Sequence, residues 1–251
     1  MPLVSIRKNV IIATKVGMAM WNGPNDKGAS CCHIIQQAED SSRLLQTDYI
    51  DLYQIHRPDP NTPIEETFKA LDVLVRQGKV RYIGCSNYSA WQMCEAIWTS
   101  KALNLTQFVT AQPEYNILNR SIEAELLPFC EIYNIGILPY FPLAIGFLTG
   151  KYLLGRDAPE GSRLAGNQRA QQNTLTGKNF DLLARLSNFA EDRGHPMVEL
   201  AIAWLLAKPS VRSVISGATK EEQITANVKA SEWDLTENDV VEIDNILRDS
   251  G

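Results

Sequence analysis

Apolar runs of strand length alternate with longer segments of helical periodicity along the whole chain. The runs are rich in Val, Ile, Leu and Tyr, which is typical of strands buried on both faces of a sheet. Six runs are predicted as strands: 10–16, 49–55, 80–85, 108–112, 136–141 and 213–216.

Helical patterns fill most of the intervals between these strands. Residues 64–78 show the clearest signals for the start and the end of a helix. Pro63 precedes the segment, two glutamates lie in its first turn and Gly78 ends it. Similar patterns predict helices over 33–45, 90–101, 122–133, 179–193, 197–207 and 220–229. Repeated strand–helix units with short connections predict a parallel sheet, in either a doubly wound fold or a (β/α) barrel. No GxGxxG motif opens a helix after a strand, which disfavours the dinucleotide-binding doubly wound fold.

One connection, at about 143–177, is much longer than the others and is predicted as a loop. It is rich in Gly, Asn and Arg, and long loops of this kind are usually functional or disordered. Its basic residues are Lys151, Arg156, Arg163 and Arg169. Two interpretations stay open: a solvated surface loop, or a lid whose charges face an anionic ligand.

Composition and charge exclude several classes of partner and ligand. The chain has 251 residues, 45% of them hydrophobic and 21% charged, which suits one sizeable domain or two small ones. A net charge of -5 without a basic run argues against nucleic acid and anionic membranes as partners. The sequence shows neither a membrane-length apolar stretch nor a signal peptide, so we expect a cytoplasmic protein. Its five cysteines form no CxxC pair and have no metal-ligand spacing, so we expect no metal site.

Polar side chains recur where the predicted strands end. They are Lys15, His56, Ser86 with Asn87, Gln112, Tyr140, and the segment Gly217 to Thr219. Each has an ordinary explanation, such as a solvated lysine, a packing histidine or a helix cap. Their joint placement favours a site, because the carboxyl ends of barrel strands carry the active site in this architecture.

Six segments together resemble a known family. In the order of the chain, they are IATKVG, TDYIDLYQIHRPD, GKVRYIGCSNYS, AQPEYN, PLAIGFLTGKY and SVISGATKEEQITAN. They closely resemble the aldo-keto reductases, in the branch that includes voltage-gated potassium channel β subunits. The resemblance covers the chain from about Lys8 and implies a single (β/α)8 TIM-barrel domain over 1–251. It also implies reversible reduction of aldehydes and ketones by NADP(H) without a metal.

The resemblance assigns roles to individual residues. Lys15 and His56 match two of the family's Asp-Tyr-Lys-His catalytic residues. Ser86, Asn87 and Gln112 match the groups that hold the nicotinamide carboxamide, and Tyr140 matches the aromatic that stacks on the ring. The pyrophosphate and lid region corresponds to Phe141, Leu143, Gly146, Lys151 and Arg163. The adenosine end corresponds to Gly217, Thr219, Gln223 and Asn227, with the start of the helix over 220–229 offering its N-terminal dipole.

The beginning of the sequence departs from the family pattern. Only about nine residues precede the strand that carries Lys15, so the two strand–helix units that supply the family's Asp and Tyr are expected to be absent. Tyr53 lies three residues before His56, on the other side of its strand, and Tyr49 lies at the far end, so neither replaces the missing tyrosine. We therefore expect an incomplete barrel of about six units, open between strands 10–16 and 213–216. Residues 1–7 or a second copy of the chain would cover the opening, which makes a homo-oligomer an expectation.

Three functional readings follow from these matches and departures. The leading one is an NADP(H)-dependent carbonyl reductase with activity weakened by the absent Asp and Tyr. The second is a non-catalytic NADP(H)-binding or accessory subunit, and the third is a truncated or alternatively spliced product without function of its own. We further expect NADPH to bind better than NADH, and burial to lower the pKa of Lys15.

Overall fold

The computed structural model describes residues 6–23 and 25–249, and these form two compact units. The first unit comprises Met1–Pro113 and Ala124–Ile137, and the second comprises Glu114–Glu123 and Leu138–Gly251. Residues 1–5, which belong to the segment expected to cover the barrel opening, lie outside the described residues.

The first unit is built on a parallel sheet of five strands in the order β1-β2-β3-β4-β5. The strands are β1 (Ala13–Val16), β2 (Ile50–Ile55), β3 (Val80–Ser86), β4 (Phe108–Gln112) and β5 (Gly136–Ile137). Helices α1 (Cys31–Leu45), α2 (Ile64–Arg76), α3 (Ala90–Ala102) and α4 (Leu126–Ile132) follow the first four strands. The predicted parallel α/β architecture is confirmed, and β2 is buried along its whole length, as its apolar run indicates.

Local sequence signals fix the ends of these helices. Pro63 precedes α2, two glutamates lie in its first turn, and Gly78 follows its end with φ +73°. Ser89 and Gln92 form a capping box at the start of α3. The signals at the ends of α2 are the ones that the sequence analysis identified, whereas it did not identify the capping box of α3. The observed bounds of α2 and α3 differ from the predicted ones by one or two residues.

The second unit is mostly helical. It contains α5 (Gln168–Thr174), α6 (Gly177–Glu191), α7 (Met197–Leu206), α8 (Glu221–Lys229) and α9 (Glu237–Arg248), together with a 3₁₀ helix over Ala144–Thr149. Its core packs the fully buried Trp204 against Tyr115, with ring centroids 5.2 Å apart. Helix α9 begins with a capping box of Thr236 and Asp239, a signal that our prediction overlooked.

Three predicted strands are shorter than expected, and the run over 10–16 is a strand only at Ala13–Val16. The run over 136–141 is a strand only at Gly136–Ile137, after which Tyr140 forms an isolated bridge. Pro139 interrupts the run because proline has no N–H to donate to a neighbouring strand. The sixth predicted strand, 213–216, is reduced to a single bridge of Ile215 with Tyr140.

The predictions of one helix and one loop also need correction. The helix expected over 122–133 is a 3₁₀ turn, Ser121–Glu123, followed by α4. Pro128 lies in the first turn of α4, where a proline is tolerated, and it prevents the helix from extending backwards. The segment expected to be a loop over 143–177 contains the 3₁₀ helix Ala144–Thr149 and α5, which Asn167 caps by accepting from the Ala170 N–H.

Candidate functional site

In the first unit, the polar residues predicted at strand ends share one edge of the sheet. Lys15 lies near the end of β1, His56 follows β2, and Ser86 and Gln112 are the last residues of β3 and β4. The register pairs Ser86 with Gln112, and the His56 N–H donates to Val16 O at 2.8 Å. The parallel arrangement therefore brings these side chains to the same edge.

Asn87 connects three strands at this edge. Its backbone is left-handed, with φ +61°, and its amide nitrogen donates to His56 O at 3.0 Å and to Ser86 Oγ at 3.1 Å. Its backbone N–H donates to Gln112 O at 3.3 Å. The Ser86 hydroxyl also donates to Gln112 O, at 2.7 Å. Asparagine tolerates this backbone conformation better than most residues, so the sequence places a suitable residue at the junction.

Gln112 is 4% exposed and lies beside Ser86 at the end of its strand. Its amide offers both a donor and an acceptor, as does the carboxamide of a nicotinamide ring. The residues present thus fit the group that the resemblance assigns to this edge.

The two basic side chains of the edge, Lys15 and His56, have shifted pKa values. Burial lowers the pKa of Lys15, in the direction predicted from the sequence. Burial also lowers the pKa of His56, and the positive charges of Lys15 and Arg57 lower it further. His56 is therefore neutral near pH 7, so that one ring nitrogen donates a hydrogen bond and the other accepts one.

Neither Tyr53 in β2 nor Tyr49, which immediately precedes β2, belongs to this edge. The Tyr53 hydroxyl donates to Ile34 O of α1 at 3.0 Å, on the face of β2 away from Lys15. Tyr49 lies beneath the guanidinium groups of Arg7 and Arg81, at 3.7 Å and 3.9 Å from its ring centroid. Both observations agree with their exclusion as proton donors.

Asp59 is a residue of this edge that the sequence analysis did not select as a site residue. Its carboxylate accepts from the Ala29 N–H at 2.8 Å and from the Thr62 hydroxyl at 2.8 Å. It thereby ties the segment after β1 to the turn after β2. The short distance between Asp59 and Gly28 leaves no room for a Cβ at Gly28.

In the second unit, one group of predicted residues gathers around Tyr140. Its ring packs edge-on against Phe141, with centroids 5.0 Å apart, and the Arg163 guanidinium lies 5.5 Å from the Phe141 ring centroid. A Cβ on Gly217 would lie 2.7 Å from an Arg163 nitrogen, so Arg163 also lies against this glycine. The fully buried Asn116, which the prediction did not select, donates from its amide to Phe141 O at 3.0 Å.

The turn after Phe141 has an unusual backbone. Phe141, Ala144 and Ile145 have φ of 55°, 46° and 58°, and Gly146 follows with φ 89°. Left-handed conformations are unfavourable for residues with a Cβ and cluster at ligand sites. The Gly146 N–H donates to Leu143 O at 2.8 Å, and a Cβ on Gly146 would lie 2.9 Å from Lys151 Nζ. The two basic residues predicted for the pyrophosphate region therefore lie against two of the predicted glycines.

The residues predicted for the adenosine end fall into two places. The Thr219 N–H donates to Gln223 Oε1 at 2.7 Å, which uses the Gln223 amide oxygen at the start of α8. Asn227, one turn later, lines a cavity of about 450 Å³ together with Arg212, Ser216 and Ile224. Glu221 and Glu222 occupy the first turn of α8, so an anion at that end would meet two carboxylates in addition to the helix dipole.

The fold and this edge define a parallel α/β protein with a polar site at the carboxyl ends of its strands. The sequence profile of the aldo/keto reductase family matches residues 3–248. The chain belongs to the aldo/keto reductase family, and its five parallel strands with their helices are part of the (β/α)8 fold of that family.

Curated relatives include channel subunits and reductases. The chain is 39% identical over 229 residues to a probable voltage-gated potassium channel subunit beta of Oryza sativa, covering 89% of this chain and 69% of that protein. It is 40% identical over 249 residues to a putative subunit of the same kind from Schizosaccharomyces pombe, covering 96% and 72%. It is 36% identical over 252 residues to an L-glyceraldehyde 3-phosphate reductase of Escherichia coli O157:H7, covering 97% and 71%.

Proposed function

We propose that the chain binds NADP(H) and catalyses hydride transfer between the cofactor and the carbonyl group of an aldehyde or ketone. The observation that carries this proposal is the edge of β1 to β4, where the buried residues Ser86 and Gln112 share one edge with two basic side chains, Lys15 and His56, whose pKa values are lowered. The bound cofactor supplies the hydride. Reductases of small carbonyl compounds among the relatives support the same reaction class.

Each residue of the edge has a distinct task in this proposal. Gln112, Ser86 and Asn87 orient the carboxamide through hydrogen bonds. His56 donates a hydrogen bond to the substrate carbonyl, which polarises it and raises its electrophilicity. The Lys15 ammonium stabilises the negative charge that develops on the carbonyl oxygen, and His56 or a water molecule supplies the proton that converts the resulting alkoxide into the alcohol. With only Lys15 and His56 of the family's four catalytic residues, a polypeptide of the printed sequence is expected to turn over slowly.

Discrimination between NADPH and NADH tests the cofactor assignment. We assign Arg163 or Lys151 to the phosphate groups, and a charge-assisted hydrogen bond is worth about 1.5–3 kcal/mol, or roughly 10- to 150-fold in affinity. Fluorescence titration should show NADPH binding tighter than NADH. Arg163→Ala should weaken NADPH alone if Arg163 contacts the 2′-phosphate, and both cofactors equally if it contacts the pyrophosphate. Arg156→Ala, an exposed arginine of the same segment, is the matched control and should leave both affinities unchanged.

Turnover separates the reductase from a second candidate function. The relatives named as channel subunits favour a nucleotide-binding accessory subunit. Oxidation of NADPH, followed by absorbance over a panel that includes L-glyceraldehyde 3-phosphate, should depend on the aldehyde and vanish in Lys15→Met. Tight NADPH binding without turnover of any carbonyl would favour the accessory role and contradict the reductase.

Two further proposals concern the oligomeric state of the protein and its location in the cell. Strand β1 lies at the edge of the sheet and pairs with β2, and Ile11 just before it is 81% exposed. We propose self-association through this edge, which light scattering across a concentration series would detect. Among the described residues, no helix is long and apolar enough to cross a membrane. The five cysteines are unpaired, which fits the reducing cytosol that we propose as the location.

A further inference from the structure

Helix α3 is apolar on its outward face as well as on its buried face. Its buried side chains include Met93 and Ile97, whereas Trp91 and Trp98 are 65% and 56% exposed. Residues seven positions apart lie on the same side of an α-helix, so the two tryptophans form one stripe two turns long. A solvated helix face is ordinarily polar, and an exposed apolar patch is typical of a surface that binds another protein.

Two aromatic side chains of the neighbouring helix extend this surface. Phe129 in α4 and Tyr133 directly after it stack with ring centroids 4.4 Å apart. Lys101 connects them to α3, because its ammonium lies 5.0 Å from the Trp98 ring centroid and 5.3 Å from the Tyr133 ring centroid. A lysine at these distances is attracted to both rings. We call the surface formed by Trp91, Trp98, Phe129 and Tyr133 the aromatic patch of α3.

The charged and small residues of the same face are arranged symmetrically about Trp98. Glu95 lies three residues before Trp98 and Lys101 lies three residues after it, and both side chains are exposed. Cys94 and Ala102 lie four residues to either side. Positions three and four residues apart share one face of a helix, so these side chains lie on the same side of α3 as the Trp98 ring.

Two α3 helices related by a two-fold axis through Trp98 complement each other. Such an axis, perpendicular to the helices, makes them antiparallel, and each contact between two different residues then occurs twice. Glu95 of one copy faces Lys101 of the other, so that opposite charges meet on both sides of the axis. The small residues Cys94 and Ala102 face each other across the same axis, which lets the two helices approach closely.

We propose that the aromatic patch of α3 is the interface of a two-fold symmetric dimer, in which Trp98 packs at the centre and Glu95 of each copy pairs with Lys101 of the other. Trp91 and Trp98, at about 250 Å² each and 65% and 56% exposed, contribute roughly 300 Å² of mostly apolar surface per copy. A stable interface buries about 800 Å² per copy, with aromatic residues at its centre and polar residues around them. The patch supplies that centre, and the two charged residues supply part of the rim. This surface is distinct from the edge strand β1.

Charge reversal, followed by sedimentation velocity of the whole chain across a concentration series, tests this proposal. Glu95→Lys or Lys101→Glu alone places two like-charge pairs across the axis and should raise the dissociation constant of the dimer about tenfold. The double variant Glu95→Lys/Lys101→Glu restores opposite charges and should regain most of the affinity. Six residues separate the two positions, so they do not pair within one helix, and the recovery can come only from the other copy.

A truncation at the centre and a control elsewhere complete the series. Trp98→Ala should raise the dissociation constant about 30-fold or more, because an aromatic residue at the centre of an interface carries much of the binding energy. Lys69→Glu reverses another exposed lysine of the first unit, on α2, and should leave the dissociation constant unchanged. Far-UV circular dichroism at a concentration where the chain is monomeric checks that each variant folds. If Trp98→Ala does not fold, the charge reversals decide alone.

Three results would each overturn the proposal. The first is a double variant that associates no more tightly than the single variants. The second is an association that no variant of α3 alters, which would place the contact on another surface, such as the edge strand β1. The third is an unmodified chain that stays monomeric at every concentration, which would leave the aromatic patch to a different protein.

Discussion

Replacing Asp51 by Asn should destabilise the first unit by several kcal/mol. Asp51 lies on β2 and its carboxylate has three partners: the Ile12 N–H at 2.9 Å, Arg7 Nη1 at 2.7 Å and Arg81 Nη1 at 2.9 Å. Because Ile12 directly precedes β1, the carboxylate fixes the strand that carries Lys15. Asn has the same shape but removes the negative charge from between two guanidinium groups.

The magnitude follows from the exposure of each partner. The side chains of Asp51 and Arg7 are only 8% and 11% exposed, and breaking a buried ion pair costs about 3–5 kcal/mol because one charge stays buried and uncompensated. Arg81 is 54% exposed, so its share falls in the range of about 0–1 kcal/mol for surface pairs. Arg7 keeps neutral acceptors at Thr47 Oγ1 and Tyr49 O, which reduces the loss. We expect a destabilisation of about 3 kcal/mol at pH 7.

Urea unfolding of Asp51→Asn and the unmodified chain measures this difference. The matched control is Glu39→Gln, because the pair of Glu39 with Lys79 is exposed on both sides and should contribute at most about 0.5 kcal/mol. The Ile12 N–H and the two arginines hold the pKa of Asp51 below its usual value, against the effect of burial. A lowered pKa means that the stabilisation is complete above about pH 4 and is lost as the pH falls through the folded-state pKa. The gap between the two chains should therefore close in acid, and a loss no larger than that of Glu39→Gln at pH 7 would refute the reasoning.

Two further predictions concern packing and the second unit. Gly84→Ala should destabilise the chain by about 1–3 kcal/mol, because its Cβ would overlap Thr110, whereas Gly177→Ala, at an open helix start, should stabilise it by about 0.4–1 kcal/mol in thermal unfolding. Glu199→Gln should cost about 1–2 kcal/mol, because the buried carboxylate binds His195 Nδ1 at 2.6 Å and Lys229 Nζ at 3.2 Å. Glu242→Gln, which removes an exposed partner of an arginine, is its control and should change the melting temperature little.

The edge that carries Lys15 and His56 was predictable because two rules act together. Apolar runs of strand length indicated buried parallel strands, and parallel strands end at one edge, so polar residues after each run had to meet. The placement of these side chains needed only the order and polarity of the residues. The direction of the Lys15 pKa shift was predicted from the family resemblance, which places this lysine in a pocket without the family's aspartate, where desolvation lowers its pKa.

The register of the strands was not predictable in the same way. In the run DLYQIH, Gln54 looks like an isolated polar residue in a strand, and nothing in the sequence shows that it stands opposite Lys15 on one side and Gly84 on the other. That relation depends on the register, which the hydrogen bonds between β1, β2 and β3 determine. Asp59 and Asn116 escaped selection for a similar reason, since their partners lie 30 and 25 residues away along the chain.

The turn after Phe141 has a backbone conformation that its sequence does not predict. The sequence places Ile145 where glycine would suit a tight turn, and a β-branched residue is among those least suited to a left-handed backbone. The structure nevertheless keeps Ile145 at φ 58°. Hydrogen bonds on both sides impose it: the Ala144 N–H donates to Phe141 O at 2.9 Å, and the Tyr152 hydroxyl donates to Ile145 O at 3.3 Å. Each left-handed residue costs roughly 1–2 kcal/mol, so the surrounding contacts must overcome that cost to hold the turn. A conformation that opposes local propensity and is enforced by distant partners cannot be read from the local sequence, and it occurs here where the phosphates of a cofactor are proposed to bind.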